Sequence, residues 1–268
     1  MRTRPLKLAF ALTFAVVVTA CGGGSSGNQK AVNASSNAGS TATSSPASTS
    51  SSSSTASDPN ELAGCVPSCR RGFTTPGAIA GGVYTTKNFF GGRMKVTLDG
   101  GWRSDEDSTG EFRAEFTAMP NNILWFWEDV YPVENGTQVA NVPMTAKGLL
   151  DWFQSTPRLS ISNVTTGAIG TLPATVVDVQ ASASTPNEDP NDCPSAPCVN
   201  FLGFPQWDGP WGIAAGQLQR FYLADVTYGG RQHLFVAVIY PNTVEEMDAF
   251  EPVAATALAS VDVPAKPA

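Results

Sequence analysis

The stretch LQRFYLADVTYGGRQHLFVAVIY, residues 218–240, decides the fold of this chain. Residues 218–227 and 233–240 are rich in apolar, β-branched and aromatic side chains, as strands are. Gly229 and Gly230 separate these two runs, and glycine accepts the positive φ that a tight primed turn requires. The stretch therefore predicts a β-hairpin near the C-terminal end of the chain.

Three segments upstream continue the β pattern. Residues 93–98 and 111–116 alternate polar with apolar side chains, which is the period of half-buried strands. Residues 123–127 form an apolar run that extends the same meander. The acidic residues 105–107 lie between two of these segments and predict a solvated loop. We therefore expect an antiparallel β-sheet.

Two further segments have helical features. Thr145 is a candidate N-cap of a helix that ends before Pro157, because the residue ahead of a proline avoids the α region. Residues 243–246 fit a capping box in which Glu246 reaches back to the Thr243 amide. Pro252 lies inside the helical spacing that follows and predicts a kink or two short helices. The predicted fold class is α+β, an antiparallel β-sheet covered by a few helices.

Residues 1–20 have the pattern of a bacterial lipoprotein signal peptide. A basic start precedes the apolar run at 8–18, and Val18-Thr19-Ala20 leads into Cys21. The apolar run is shorter than the roughly 20 residues that a membrane span needs. We expect cleavage before Cys21 and lipid attachment to its thiol, which would anchor the protein to the membrane. The predicted location is extracytoplasmic, lipid-anchored to the bacterial cell membrane.

Past Cys21, residues 22–58 include 14 serines among 37 residues and no aromatic side chain. This composition cannot bury a core, so residues 21–58 are interpreted as the lipidated cysteine and a disordered tether. As a flexible coil the tether would span about 30–37 Å. Its hydroxyl groups are also candidate glycosylation sites. Residues 59–268 contain neither a second linker nor a repeat and predict a single globular domain.

Charge excludes one class of partner. Removal of residues 1–20 leaves 13 basic and 23 acidic residues, a formal charge near −10. Nucleic acid binding requires a basic stripe to contact phosphates, and the sequence has none. The same acidic balance disfavours direct binding to an anionic membrane surface. The lipid on Cys21 is therefore the predicted membrane contact.

The four cysteines after the anchor predict disulfides, because an exported protein meets an oxidising compartment. Cys65 and Cys69 are close in sequence, as are Cys193 and Cys198. The short loops favour local bridges, but cross-linking of the two segments stays open. A four-thiolate zinc site is the alternative, and such sites are more typical of reducing compartments.

Catalytic motifs are absent from the sequence. His233 is the single histidine, and no Gly-x-Ser-x-Gly elbow or phosphate-binding loop accompanies it. We therefore predict a satisfied or exposed strand histidine, with no catalytic residue, metal site or cofactor. Residues 105–110 begin like a calcium loop, but Phe116 occupies the twelfth position, where a glutamate is required. The alternative is a glycosidase carboxylate pair formed by these acids with Glu128 or Asp129.

Aromatic side chains mark the candidate ligand-binding segment. Phe204, Trp207 and Trp211 alternate with glycine and proline, and exposed rings on such a loop can stack on sugars, lipids or a protein. The alternative is a loop folded over the sheet that buries these rings. We expect most of them to be buried and one or two to be exposed.

The order of the elements carries a resemblance to known proteins. The order in question runs through residues 82–86, a strand ending at Gly101-Trp102, the helix after Thr145, the hairpin at Gly229-Gly230 and the segment 250–263. This layout resembles uncharacterised bacterial extracytoplasmic lipoproteins and, more distantly, the PsbP-like α/β sandwich. Residues 186–211 depart from it. The resemblance implies a non-enzymatic binding or assembly factor of the cell envelope with an unknown ligand or protein partner. A cell-envelope hydrolase and a passive surface lipoprotein are the alternatives.

Overall fold

A computed structural model describes residues 77–79, 81–183, 187–188, 197–206 and 209–263. The predicted signal peptide and tether lie outside these residues. So do several candidate site residues, namely Cys21, Cys65, Cys69, Cys193 and Trp207.

The described residues form fourteen strands and two α-helices. The first eight strands are β1 (Gly77–Ile79), β2 (Gly82–Thr85), β3 (Lys95–Leu98), β4 (Trp102–Asp107), β5 (Glu111–Phe116), β6 (Ile123–Glu128), β7 (Tyr131–Glu134) and β8 (Thr137–Gln138). The remaining strands are β9 (Leu159–Ile169), β10 (Leu172–Ala181), β11 (Cys198–Gly203), β12 (Trp211–Ala214), β13 (Leu218–Tyr228) and β14 (Arg231–Tyr240). The helices are α1 (Ala146–Ser155) and α2 (Met247–Ala259). Neither described helix is long and apolar enough to cross a bilayer.

All the strand pairings among the described residues are antiparallel. The main sheet has eight strands in the order β1-β4-β5-β6-β14-β13-β10-β9, a second sheet has the order β12-β11-β7-β8, and β2 pairs with β3. The protein therefore has the predicted α+β class, an antiparallel sheet with helices packed on it. One detail differs, because β3 pairs with β2 instead of joining the main sheet.

The predicted hairpin is confirmed. Residues of β13 pair with residues of β14 from Arg220↔Ile239 to Tyr228↔Arg231. Gly229 and Gly230 have φ of 58° and 77°, the left-handed values that a primed two-residue turn requires.

Side chains of β14 alternate between two apolar cores, one on each face of the main sheet. On the first face α2, the β2–β3 pair and a 3-10 turn at Phe89–Gly91 cover the sheet. On the second face α1 and the four-stranded sheet cover it. The β14 residues of the first core are Phe235, Ala237 and Ile239, and those of the second are Leu234, Val236 and Val238. Burial on both faces explains why residues 234–239 are apolar without interruption.

Helix α1 begins and ends as predicted. The Thr145 hydroxyl accepts a hydrogen bond from the Gly148 N–H at 3.0 Å, and the helix ends at Ser155, ahead of Pro157. The predicted capping box of α2 is wrong. The Glu246 carboxylate instead accepts a hydrogen bond from the Asn122 side-chain amide, and a 3-10 turn precedes α2. Helix α2 then runs as one element through Pro252.

The prediction of a solvated acidic loop at residues 105–107 is also wrong. These residues belong to β4, and Asp107 is only 2% exposed. Its carboxylate accepts the N–H groups of Lys87, Asn88 and Phe89 at 2.5, 3.1 and 2.8 Å. The 3-10 turn thus obtains acceptors for N–H groups that its own backbone leaves free.

Candidate functional site

Phe204 and Trp211, two of the predicted ligand contacts, differ in exposure. Phe204 is 1% exposed, and its ring lies 5.1 Å from that of Trp127, so Phe204 belongs to the second core rather than to a binding surface. It follows β11 directly, where the second sheet closes over the main one. Trp211 begins β12 and is only half-buried, so part of the residue stays accessible to solvent.

Trp211 lies on an aromatic cluster that also contains Trp125, Trp127 and Tyr240. Its ring centroid is 4.5 Å from that of Trp125 and 5.8 Å from that of Tyr240, both in edge-to-face geometry. Its indole N–H donates to the Gln219 side chain at 3.2 Å. Because these contacts fix the position of the indole, Trp211 is a rigid, half-buried aromatic residue of the kind that can stack on a ligand.

Charged side chains border this aromatic cluster. The Trp125 indole N–H donates to the Glu111 carboxylate, and the Arg113 guanidinium lies 4.8 Å from the centre of a Trp125 ring. Burial raises the pKa of the Tyr240 hydroxyl above its ordinary value. The cluster thus combines apolar area with charged groups at its border.

A separate cavity opens between α2 and the corner where β3 leads into β4. It has a volume of about 340 Å³ and is lined mainly by Trp102, Phe116, Pro252 and Val253. This volume is at the lower end of small-molecule sites. The lining is mostly apolar, so the cavity offers few groups that would orient a ligand.

A third arrangement is the carboxylate–histidine cluster, which consists of Glu128, Asp129 and His233. Glu128 ends β6, Asp129 follows it, and His233 is the third residue of β14. Antiparallel pairing of β6 with β14 brings the end of one strand to the start of the other. One potential ligand atom from each residue lies within 4.8 Å of the others, so the cluster could hold a metal ion.

The geometry of this cluster centres on one ring nitrogen. Nδ1 of His233 lies 2.8 Å from a Glu128 carboxylate oxygen and 2.9 Å from Oδ2 of Asp129. The other Asp129 oxygen, Oδ1, accepts the Leu234 N–H at 3.0 Å. The rings of Phe90 and Tyr228 flank the imidazole at 6.3 and 6.0 Å between centroids. His233 is 8% exposed.

Electrostatics within the cluster act on Glu128. Burial raises the pKa of its carboxyl group above the ordinary value, and repulsion by Asp129 adds to this effect. Attraction by His233 and Arg231 opposes it. Such a carboxyl group can exchange a proton with its neighbours or bind a cation.

Sequence reasoning named these three residues but did not bring them together. The strand register brings them together, because the pairing of residues 123–128 with 235–240 places Glu128 and Asp129 beside His233. The acidic residue Asp107 takes no part, since its carboxylate is engaged by the backbone of residues 87–89. The proposed carboxylate pair between the 105–107 segment and Glu128 or Asp129 is therefore not formed by Asp107.

Of the four candidate disulfide cysteines, Cys198 lies in the described part of the chain. It is buried at the start of β11 and is disulfide-bonded. The pairing expected from the sequence stays a prediction, because Cys65, Cys69 and Cys193 lie outside the described residues.

Comparison with known proteins gives only distant structural similarity. No protein-family model matches this chain, and no curated protein matches it in sequence. Cyanobacterial PsbP (CyanoP) from Synechocystis sp. PCC 6803 is 10% identical over 64% of this chain and 86% of its own, with a TM-score of 0.31. A protein from Bacteroides thetaiotaomicron VPI-5482 is 10% identical over 65% of this chain, with a TM-score of 0.28. This chain spans 46% of the Bacteroides chain. Scores this low assign neither a ligand nor an activity.

Proposed function

We propose that this protein is a membrane-anchored extracytoplasmic lipoprotein that acts as a non-enzymatic binding or assembly factor in the bacterial cell envelope. The observation that carries the proposal is the sequence Val18-Thr19-Ala20-Cys21 behind a short apolar run. An acylated Cys21 would hold the chain at the membrane, and the Ser-rich residues 22–58 would let the domain reach a ligand or partner away from it.

The aromatic cluster supports binding as the role of the domain. Trp211 is half-buried, and Trp125 and Tyr240 fix the orientation of its ring. A ring that is already ordered loses little conformational entropy when a ligand stacks on it. The predicted contact Trp207 lies four residues away in sequence. Trp207 and Trp211 are therefore the proposed ligand contacts.

The anchor is tested by labelling cells that express the full chain with radioactive palmitate. Cys21→Ala is expected to abolish the label and to leave an unprocessed precursor, because the acylated thiol is the processing signal. Ser25→Ala is the matched control and is expected to keep the label. Palmitate incorporation into Cys21→Ala would contradict the proposed anchor.

The binding role is tested by thermal unfolding of the mature chain with envelope sugars, lipids and peptides. A ligand at 100 times its Kd contributes about 2.7 kcal/mol to stability, which raises Tm by about 5–10 °C for a domain of this size. Trp211→Ala or Trp207→Ala is expected to remove the shift. Val83→Ala alters an apolar residue that is 47% exposed and is the control. No shift with any class would favour a protein partner or a passive surface lipoprotein.

The hydrolase alternative rests on the carboxylate–histidine cluster. Glu128 and Asp129 supply two carboxylates, and glycoside hydrolysis uses two that flank the scissile bond. However, the His233 imidazole lies against both of them, where a glycosidic bond would have to enter. His233 also has no hydrogen bond from a hydroxyl or thiol of the described residues. Hydrolysis of envelope glycans that Glu128→Gln abolishes would establish this alternative.

A further inference from the structure

We propose that Glu128, Asp129 and His233 form a binding site for a divalent transition-metal cation, with Zn²⁺ as the cation that the donor set fits best. The proposal is independent of the lipid anchor and of the aromatic ligand contacts. It rests on the donor atoms, on the burial of the three side chains and on the way the backbone holds Asp129.

The donor set matches zinc chemistry. One imidazole nitrogen and two carboxylate oxygens are borderline and hard ligands that Zn²⁺ accepts, and three protein ligands leave a fourth position for water. Ca²⁺ and Mg²⁺ prefer an all-oxygen shell, which the imidazole breaks. The ligand atoms of the three residues already lie within 4.8 Å of one another.

The buried imidazole supplies a second, independent reason. Two carboxylate oxygens lie 2.8 and 2.9 Å from the same Nδ1 atom. Nδ1 carries at most one proton, whether the ring is neutral or charged, so the two oxygens compete for a single donor. An acceptor that is largely shielded from water and lacks its own donor is costly, and the Glu128 and Asp129 side chains are only 14% and 16% exposed. A cation in place of that proton would satisfy both oxygens at once.

The backbone holds Asp129 in place before any ion binds. Asp129 has φ of 54°, and its N–H donates to the Leu234 carbonyl at 2.9 Å. The Leu234 N–H in turn fixes Oδ1 of Asp129, which leaves Oδ2 to face His233. Hydrogen bonds of this kind to the outer oxygen orient metal-ligating carboxylates. The apolar rings of Phe90 and Tyr228 restrict solvent on the imidazole side.

Binding requires the side chains of the cluster to rearrange. Tetrahedral Zn²⁺ with bonds of about 2.0–2.1 Å separates its ligand atoms by about 3.3 Å. The carboxylate oxygens, now 2.8 and 2.9 Å from Nδ1, would move away from it by about 0.5 Å. Because the ligand atoms lie within 4.8 Å of one another, the two oxygens would approach each other by at most about 1.5 Å. Any Nδ1 proton would leave to solvent as the ion takes its place. Zinc affinity should therefore fall as the pH is lowered.

The test is isothermal titration of the full chain, purified in detergent with its disulfides intact, with ZnCl₂. We expect one Zn²⁺ per chain with a micromolar or lower Kd, and much weaker binding of Ca²⁺. Asp129→Asn is the sharpest variant. Asparagine tolerates the left-handed backbone and its oxygen can accept the Leu234 N–H, so the substitution removes mainly the oxygen that faces His233. We expect it to raise the zinc Kd at least about tenfold.

Two further variants separate this site from other zinc-binding groups. Glu128→Gln is expected to weaken binding to a similar extent, whereas Glu134→Gln replaces a half-buried carboxylate of β7 and should leave the Kd unchanged. Visible absorption of bound Co²⁺ gives a second readout and should disappear in Asp129→Asn. Circular dichroism confirms that each variant is folded. Absence of zinc binding by the unaltered chain would overturn the proposal, as would an unchanged Kd in folded Asp129→Asn and Glu128→Gln.

Discussion

Replacing Asp107 by alanine tests how β4 holds the 3-10 turn at Phe89–Gly91. The Asp107 carboxylate accepts three backbone N–H groups from residues 87–89. The turn also contains Phe90 at φ of 53°, a left-handed conformation that is costly for a bulky side chain. The acceptors supplied by Asp107 therefore hold a strained segment whose two phenylalanines are completely buried.

The expected cost follows from the three bonds. Hydrogen bonds to a charged group contribute about 1.5–3 kcal/mol each. The Phe89 N–H is buried and would lose its acceptor outright, whereas Lys87 is exposed and Asn88 half-buried, so water can partly replace the carboxylate there. We expect Asp107→Ala to lower the free energy of unfolding by about 3–5 kcal/mol. For a domain of this size Tm would fall by about 6–20 °C.

Urea unfolding of the mature chain, followed by tryptophan fluorescence, measures this change as a shift in midpoint at constant m. Asp107→Asn keeps the oxygen that accepts the Asn88 and Phe89 N–H groups, so its cost should be intermediate. Asp99→Ala removes an exposed carboxylate from the β3–β4 corner and should change stability by less than about 0.5 kcal/mol. If Asp107→Ala costs no more than Asp99→Ala, the carboxylate does not hold the turn and the reasoning is refuted.

Two other predictions concern the hairpin and acid stability. Gly230→Val places a β-branched residue at φ of 77° and should cost about 1–2 kcal/mol in urea unfolding, whereas Gly229→Asn should be nearly neutral; equal costs would argue against the primed turn. Burial raises the pKa of Glu115, but hydrogen bonds from the Asn121 N–H and Arg103 outweigh it and lower the pKa overall. Ionised Glu115 therefore stabilises the fold above pH of about 4.3, and this contribution is lost as the pH falls through the lowered pKa. The stability deficit of Glu115→Gln should be largest near neutral pH and shrink toward pH 3, and a deficit independent of pH would contradict the ion pair.

The hairpin and helix α1 could be predicted from the sequence because their signals are local. Two adjacent glycines fix the turn, and Thr145 with Pro157 fixes the limits of the helix. The capping box failed because Asn122, more than 120 residues away in sequence, donates to Glu246. Long-range partners of this kind leave no trace in the local pattern.

The candidate sites also combine features that a local pattern shows with contacts that it does not show. The acidic segment at 105–107 has the composition of a surface loop, but the backbone donors that bury Asp107 come from residues 87–89. His233 and Asp129 lie over 100 residues apart in sequence, and only the register of β6 on β14 brings them together. The sequence shows the chemistry of each residue, whereas it does not show which residues lie beside it in the folded protein.

The two cores have a consequence for how β14 is aligned during folding. In a sheet with one solvent-exposed face, a shift of the strand register by one residue moves the apolar side chains to that face and strongly destabilises the pairing. Residues 234–239 are apolar on both faces, so such a slip would only exchange one apolar face for the other. Correct alignment must then come from the ends of the strand, where the Gly229-Gly230 turn joins it to β13 and the backbone of Asp129 pairs with Leu234. These few residues therefore disfavour a misaligned pairing of β14 that would bury an equally apolar set of side chains.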